Sequence, residues 1–406
     1  MLALVISGEA IFFLPFVLPR VFRPTLLDVF DLNNFQLGTA FSAYGIIAMV
    51  SYFFGGPIAD RYSARGLMST ALAATAIGGL FMASIPSFRV LIVIYSFWGL
   101  TTILLFWAAL IRAAREWGGA QFQGRAFGFL DGGRGLAAAL ISTAGVAIMA
   151  EFLPEQVSSA SIETRTETFQ WVILLFSGFT LVIAGLVWIA LPGGKIKGSE
   201  TFISGLAGVK NVLKMPVVWL QSIILLCGYV GYKITDDFSL YAQDVLGYDE
   251  VRSAGVGTLA IWMRPVVAVT AGLLADRFIP SKLITASFIF LIIGGLAAGT
   301  GLLQPGILFP YIITFISVGI GIYALRALYF AIMEEGQIPF VLTGTAVGVV
   351  SMIGYTPEIF VGPLMGWLLD SFPGAQGHQY LFLFLAAFSF LGFVTSILFR
   401  NYKPNV

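Results

Sequence analysis

Apolar runs recur along the whole chain, broken by short polar stretches, and the runs have one characteristic length. A helix needs about 20 apolar residues to cross a hydrocarbon core about 30 Å thick. Twelve runs meet that requirement, at about 1–27, 36–58, 67–86, 89–111, 125–150, 168–192, 216–243, 252–275, 282–303, 307–333, 341–369 and 377–399. Glycine and proline fall inside many of them, which membrane helices tolerate when neighbours re-satisfy the backbone. The longest polar segment runs from Pro192 to Met215 and divides six spans from six. The pattern therefore predicts an all-α membrane protein: a bundle over 1–192, a cytoplasmic linker over 193–214 and a second bundle over 215–406.

Composition narrows the possible functions. Of 406 residues, 58% are hydrophobic and 11% charged, where a soluble domain carries about 25% charged residues. Such a chain cannot cover itself with a water-compatible surface, so its solvent is lipid. A net charge of +1 argues against nucleic acid as a partner. With one cysteine, Cys227, and one histidine, His378, no internal disulfide is possible, and the sequence argues against Cys/His metal sites of the zinc type. Cys227 reads as a packing residue, and His378, in the loop before the last span, has no assigned role. No ATP-binding motif is present and no cofactor is expected. Met1 opens directly into an apolar run without a basic flank or a small-residue cleavage site, so it reads as a span and not a signal peptide. That reading leaves room for a short cytoplasmic leader ahead of it.

The chain also repeats itself, which is typical of secondary transporters in so apolar a sequence. Gly56-Pro-Ile-Ala-Asp-Arg-Tyr-Ser-Ala-Arg65 returns in the second half as Gly272-Leu-Leu-Ala-Asp-Arg-Phe-Ile-Pro-Ser281. Gly124-Arg-Ala-Phe-Gly128 and Gly344-Thr-Ala-Val-Gly348 open spans 5 and 11 in the same way, and glycines four apart let helix backbones approach. Lys and Arg set the orientation. With both termini cytoplasmic, thirteen of the 22 basic residues fall on the cytoplasmic side, and four (Arg23, Arg89, Arg165 and Arg252) on the outer side.

The loop Gly56-x-x-x-Asp60-Arg61-x-x-x-Arg65 resembles the signature between spans 2 and 3 of the major facilitator superfamily, and the likeness covers the whole chain. The resemblance implies two six-helix bundles, related by a pseudo-two-fold axis, around a cavity open alternately to either side. It assigns a cytoplasmic latch to Gly56, Asp60, Arg61, Arg65 and Glu116, with Asp276 and Arg277 in the mirrored half. Gly56 permits close helix contact, and Asp60 would meet the positive N-terminal end of span 11. Arg61 and Arg65 would pair with Glu116. Spans 4 and 5 further resemble a bacterial branch loosely similar to organic-anion and sugar-phosphate antiporters, which hold an anion with cations on spans 1 and 7. Arg20 and Lys233 occupy those spans, but the offset that carries Gly56 to Gly272 matches Arg20 to Asp236, which puts symmetric clamping in doubt.

A charge at the bilayer centre costs about 2.5–3.5 kcal/mol or more, so such residues face a wet cavity or a partner. Ten candidates lie within the spans: Glu9, Arg20, Asp131, Arg134, Lys233, Asp236, Asp237, Arg264, Arg326 and Glu358. Asp131 and Arg134 share a helix face, as do Lys233 and Asp236 or Asp237. Glu9 and Glu358 have no cation at helical spacing, which makes them the first expected proton carriers, with Asp131 and Asp236 next. Arg20, Arg134, Lys233, Arg264 and Arg326 are the expected anchors for a carboxylate or phosphate; Arg20 alternatively snorkels to the outer interface.

The expected function is secondary active transport of a small organic anion across the bacterial inner membrane by a monomer, with proton symport or anion exchange. Efflux of a drug-like or zwitterionic solute, and a transport-fold sensor that binds without carrying, remain open alternatives. An enzyme is disfavoured, since one histidine and one buried cysteine give little to build from.

Overall fold

The computed structural model describes residues 1–118, 123–153, 161–193, 210–275, 277–302, 308–333, 335–339 and 343–402. Every regular element among them is helical. Eleven helices are long and apolar enough to cross a membrane, and a bent pair near the start makes twelve.

Eight spans follow the apolar runs as single helices: span 2 (Asn34–Arg61), span 3 (Ala64–Met82), span 5 (Gln123–Phe152), span 6 (Ile162–Ala190), span 8 (Glu250–Ala275), span 9 (Pro280–Gly299), span 10 (Leu308–Leu328) and span 12 (Ala375–Asn401). The others are interrupted. Span 1 comprises Leu2–Ala10, a π-helical stretch Phe13–Val17, Leu18–Val21 and Arg23–Val29. Span 4 passes from Phe88–Gly99 through a π-helical Leu100–Trp107 into Ala108–Gly118. Span 7 runs Pro216–Ile234, narrows to a 3-10 turn at Thr235–Asp237 and resumes over Phe238–Asp244. Span 11 is split into Thr343–Gly354 and Pro357–Ser371.

The repeat seen in the sequence extends to backbone geometry. Spans 2 and 8 begin at Asn34 and Glu250, and spans 3 and 9 at Ala64 and Pro280, both pairs at the offset that carries Gly56 to Gly272. The left-handed turn residues follow the same offset: Asp31 (φ 50°) with Gly247 (φ 66°), and Ile85 (φ 50°) with Gly301 (φ 72°). Glycine adopts that conformation freely, whereas a branched residue such as Ile85 does so at a cost.

Packing divides the chain into two compact units. Unit 1 takes Met1–Ser199, Asp236–Pro265 and Gly362–Asp370; unit 2 takes Glu200–Thr235, Val266–Val361 and Ser371–Val406. Unit 1 thus gathers the outer ends of spans 7, 8 and 11 with the first six spans. This grouping follows contacts and differs from the six-and-six order of the repeat; residues 194–209 of the expected linker lie outside the described residues.

Inside unit 1 several buried polar groups pair with one another. Trp98 donates to the Thr75 carbonyl at 3.0 Å, Thr75 and Thr101 hydroxyls meet at 2.7 Å, and Tyr44 and Thr102 at 2.7 Å. In unit 2 Thr285 and Ser396 pair at 2.9 Å. Large apolar residues such as Val93, Val182, Ile189, Leu259 and Ile293 point outward, the arrangement expected where the surrounding medium is hydrocarbon.

Candidate functional site

Helix interruptions position most of the buried charges. Span 1 bends by 46° between Leu2–Ala10 and Phe13–Val21. The bend falls at residues 11 and 12, because Pro15 has no N–H for the Ile11 carbonyl and its ring clashes there. Glu9 stands at this bend. Glu358 follows Pro357 at the break of span 11, Asp236 and Asp237 form the 3-10 turn of span 7, and Arg264 immediately precedes Pro265 inside span 8. Discontinuous membrane helices are where transporters place polar groups near the midplane.

Four of the expected residues close into a ring within unit 1. Arg134 Nε donates to Glu9 Oε2 at 3.0 Å, and Arg264 Nη1 to Glu9 Oε1 at 3.1 Å. Arg264 Nη2 reaches Asp131 Oδ1 at 3.3 Å, and Arg134 Nη1 lies 3.8 Å from the same oxygen. Two guanidinium groups and two carboxylates thus alternate, drawn from spans 1, 5 and 8. Arg134 is further held against the rings of Phe12 and Trp107, 5.5 and 5.4 Å from their centroids. Close approach is required here: a Cβ at Gly135 would come within 3.2 Å of Arg264 Cγ and 3.3 Å of Pro265. The Asp131 side chain is 40% exposed, against 5% for Glu9, 6% for Arg264 and 9% for Arg134, so the ring opens on one corner.

Unit 2 carries a second cluster. Lys233 Nζ lies 3.2 Å from Glu358 Oε2, and the Tyr229 hydroxyl donates to Glu358 Oε1. The Tyr229 ring packs on Tyr355 and Tyr232, Tyr329 and Tyr355 hydroxyls stand 3.3 Å apart, and the Arg326 guanidinium sits 3.8 Å above the Tyr232 ring. The two acids that lacked a cation on their own helices therefore obtain one, or two, from other spans.

Toward the outer ends of unit 1, Arg20 Nε bonds Asp236 Oδ1 at 2.7 Å, and Ser239 donates to the Arg20 carbonyl at 2.9 Å. Arg165 ties Asp28 at 3.1 Å to Glu250 at 2.9 Å. Asp370 accepts from the first backbone N–H groups of span 2. Arg165, Glu250 and Asp370 were not among the expected site residues; as loop-end charges they gave no signal in a search for charges inside apolar runs.

Of the expected latch, Asp276 and the side chains of Gly56, Asp60 and Arg61 lie outside the described residues. Arg65 stacks over Trp188 at 4.6 Å. The ion-pair partner of Glu116 is Arg112, one turn back on its own helix at 3.3 Å, in place of the expected Arg65. Arg112 also donates to the carbonyls of Ala59 and Tyr62, closing the end of span 2. Arg277 is exposed. Among the described residues no group of three or more His, Cys, Asp or Glu side chains is arranged to hold a metal.

Comparison with known proteins adds the family. The chain is 26% identical to the inner membrane protein YqcE of Escherichia coli K12 over 98% of this chain and 93% of that one. It is 25% identical to the inner membrane protein YihN of the same strain, over 97% and 93%. The crystal structure of a D-xylose-proton symporter superposes with a TM-score of 0.75 at 13% identity, over 99% of this chain and 97% of that one. The Major Facilitator Superfamily model matches residues 5–356. Twelve spans, an internal repeat and charges clustered at broken helices find their common explanation there: the chain belongs to the Major Facilitator Superfamily, whose members are membrane transporters working by alternating access.

Proposed function

We propose that the protein carries a small organic anion across the bacterial inner membrane, with Lys233 and Arg326 as its anchors and Glu358 as the proton-coupling group. One observation carries the anionic reading. Across the whole chain the ten intramembrane charges balance, five cations against five acids. The cluster around Glu358, however, brings two cations, Lys233 and Arg326, to one acid among the described residues. A solute carboxylate or phosphate restores that local balance, and the tyrosines 229, 232, 329 and 355 offer hydroxyls and ring faces for its organic part. The corresponding group in unit 1 has no cationic surplus, since Glu9 and Asp131 match Arg134 and Arg264.

Coupling follows from the Lys233–Glu358 pair. A solute anion that takes Lys233 competes with Glu358 for that cation, so solute binding and proton uptake at the carboxylate go together. Release reverses both steps. The Glu9 ring serves as the structural counterweight, held by two guanidinium groups whose loss would strand a buried charge. The membrane assignment accords with the relatives, which are named inner membrane proteins.

Counterflow in proteoliposomes tests this reading. Liposomes loaded with gluconate, glucuronate, succinate or glucose 6-phosphate should accumulate the matching labelled compound, while neutral xylose should not exchange. Exchange of neutral sugars alone, or binding without exchange of any compound, would replace the reading with a sugar carrier or a sensor.

A further inference from the structure

The outer half of span 11 meets span 2 along a seam with one charged residue at its end. Gly362, Gly366 and Asp370 lie four residues apart and so share one helix face. The two glycines bring the backbones together. A Cβ at Gly362 would stand 2.9 Å from the Gly38 carbonyl oxygen, and one at Gly366 would collide with the Asn34 carbonyl and the Phe35 Cα. At that distance the Asp370 side chain reaches the start of span 2. Its Oδ1 accepts from Asn34 N at 3.0 Å and from Asn34 Nδ2 at 3.1 Å, and its Oδ2 accepts from Phe35 N at 2.7 Å.

These bonds complete the account of a helix N-terminus. The first N–H groups of a helix have no partner within it, and they carry the positive end of its dipole. Asn33, the cap of span 2, accepts from Gln36 N at 2.8 Å. The N–H groups of Asn34 and Phe35 are left, and Asp370 takes both. Span 8 has the same local cap as span 2: Asp249, at the position of Asn33 in the repeat, accepts from Arg252 N at 2.8 Å.

Resting on the transporter reading above, we propose that Asp370 is an outer latch: its carboxylate holds the outer ends of spans 2 and 11 together in one state and lets go in the other. Spans 2 and 11 then carry one such group each. Asp370 ends span 11 and addresses the start of span 2, while Asp60 ends span 2 and is expected to address the start of span 11 on the cytoplasmic side. A contact of this kind on each side of the membrane would keep the two states close in energy, as alternating access requires.

The test needs no solute. Spin labels at Glu163→Cys and Gln376→Cys, in a Cys227→Ala background and in nanodiscs, report the separation of the outer ends of spans 6 and 12 by pulsed dipolar spectroscopy. Asp370→Asn should raise the ratio of long to short separations about tenfold, the equivalent of about 1.4 kcal/mol. Gly366→Leu, which forces the seam apart without touching the charge, should move the distribution the same way. Unchanged distributions in both variants, or a shift with Gly366→Leu alone, would overturn the role of the carboxylate. If the parent protein shows no counterflow while Asp370→Asn still shifts the distances, the carrier reading falls and the latch stands.

Discussion

Arg20 and Asp236 occupy the same position in the two halves of the repeat, and they are bonded to each other at 2.7 Å. The side chains are 5% and 3% exposed. Two residues related by a pseudo-two-fold axis meet only near that axis, so an opposite-charge substitution at one equivalent position turns what would be a repulsive pair into a bond between halves.

A charge-swap experiment follows from this placement. Arg20→Ala or Asp236→Ala removes one member of a buried ion pair, at a cost of about 3–5 kcal/mol. The swapped double variant, Arg20→Asp with Asp236→Arg, exchanges two nearly equivalent sites and should recover more than half of the lost thermal midpoint in detergent. A swap no more stable than either single variant would show that the two environments are not equivalent.

Arg264 makes a sharper demand on side-chain identity. One guanidinium reaches Glu9 at 3.1 Å and Asp131 at 3.3 Å through two different nitrogens, a fork that a lysine point charge cannot reproduce. Arg264→Lys should therefore lose nearly as much stability as Arg264→Ala. Glu9→Gln combined with Arg264→Ala should be non-additive by about 1–3 kcal/mol, as residues in one network are. Additive effects in a double-mutant cycle would show that the ring is not a unit.

At the cytoplasmic ends the expected ranking is reversed from that suggested by the Asp-Arg signature. Glu116 is 64% exposed in its pair with Arg112, and exposed pairs contribute about 0–1 kcal/mol. Glu116→Gln should leave the thermal midpoint almost unchanged. Arg112→Ala should lower it measurably, because the carbonyls of Ala59 and Tyr62 then lose their donor.

Most of the architecture was legible in the chain because it depends on run length and offset. Apolar runs of membrane thickness located the spans, and the internal repeat extended as far as Asp31 with Gly247 and Ile85 with Gly301. Pairing across helices was not legible. Spacing rules see only neighbours on the same helix, so Glu9 and Glu358 looked cation-free, although Arg134, Arg264 and Lys233 reach them from other spans. The exposed corner at Asp131 and the gathering of Lys233 and Arg326 near Glu358 are likewise properties of packing. Asp370 had a usable signal, its spacing of four from Gly366 and eight from Gly362, but it lies at the end of an apolar run, where a charge attracts no attention.

The Lys233–Glu358 pair gives the most direct test of coupling. Lys233 is fully buried and Glu358 nearly so, 3.2 Å apart, with the Tyr229 hydroxyl on the other carboxylate oxygen. Glu358→Gln keeps the shape and the tyrosine contact but cannot take up a proton. It should abolish solute uptake driven by an inward proton gradient while leaving counterflow of the same labelled anion within about twofold of the parent, since exchange needs no net proton movement. Lys233→Gln should fail in both assays, because the anion anchor is lost and Glu358 is left without its cation. Proton-driven uptake that survives in Glu358→Gln would assign coupling to another carboxylate, and Glu9→Gln, tested in parallel, would show whether the ring of unit 1 carries it.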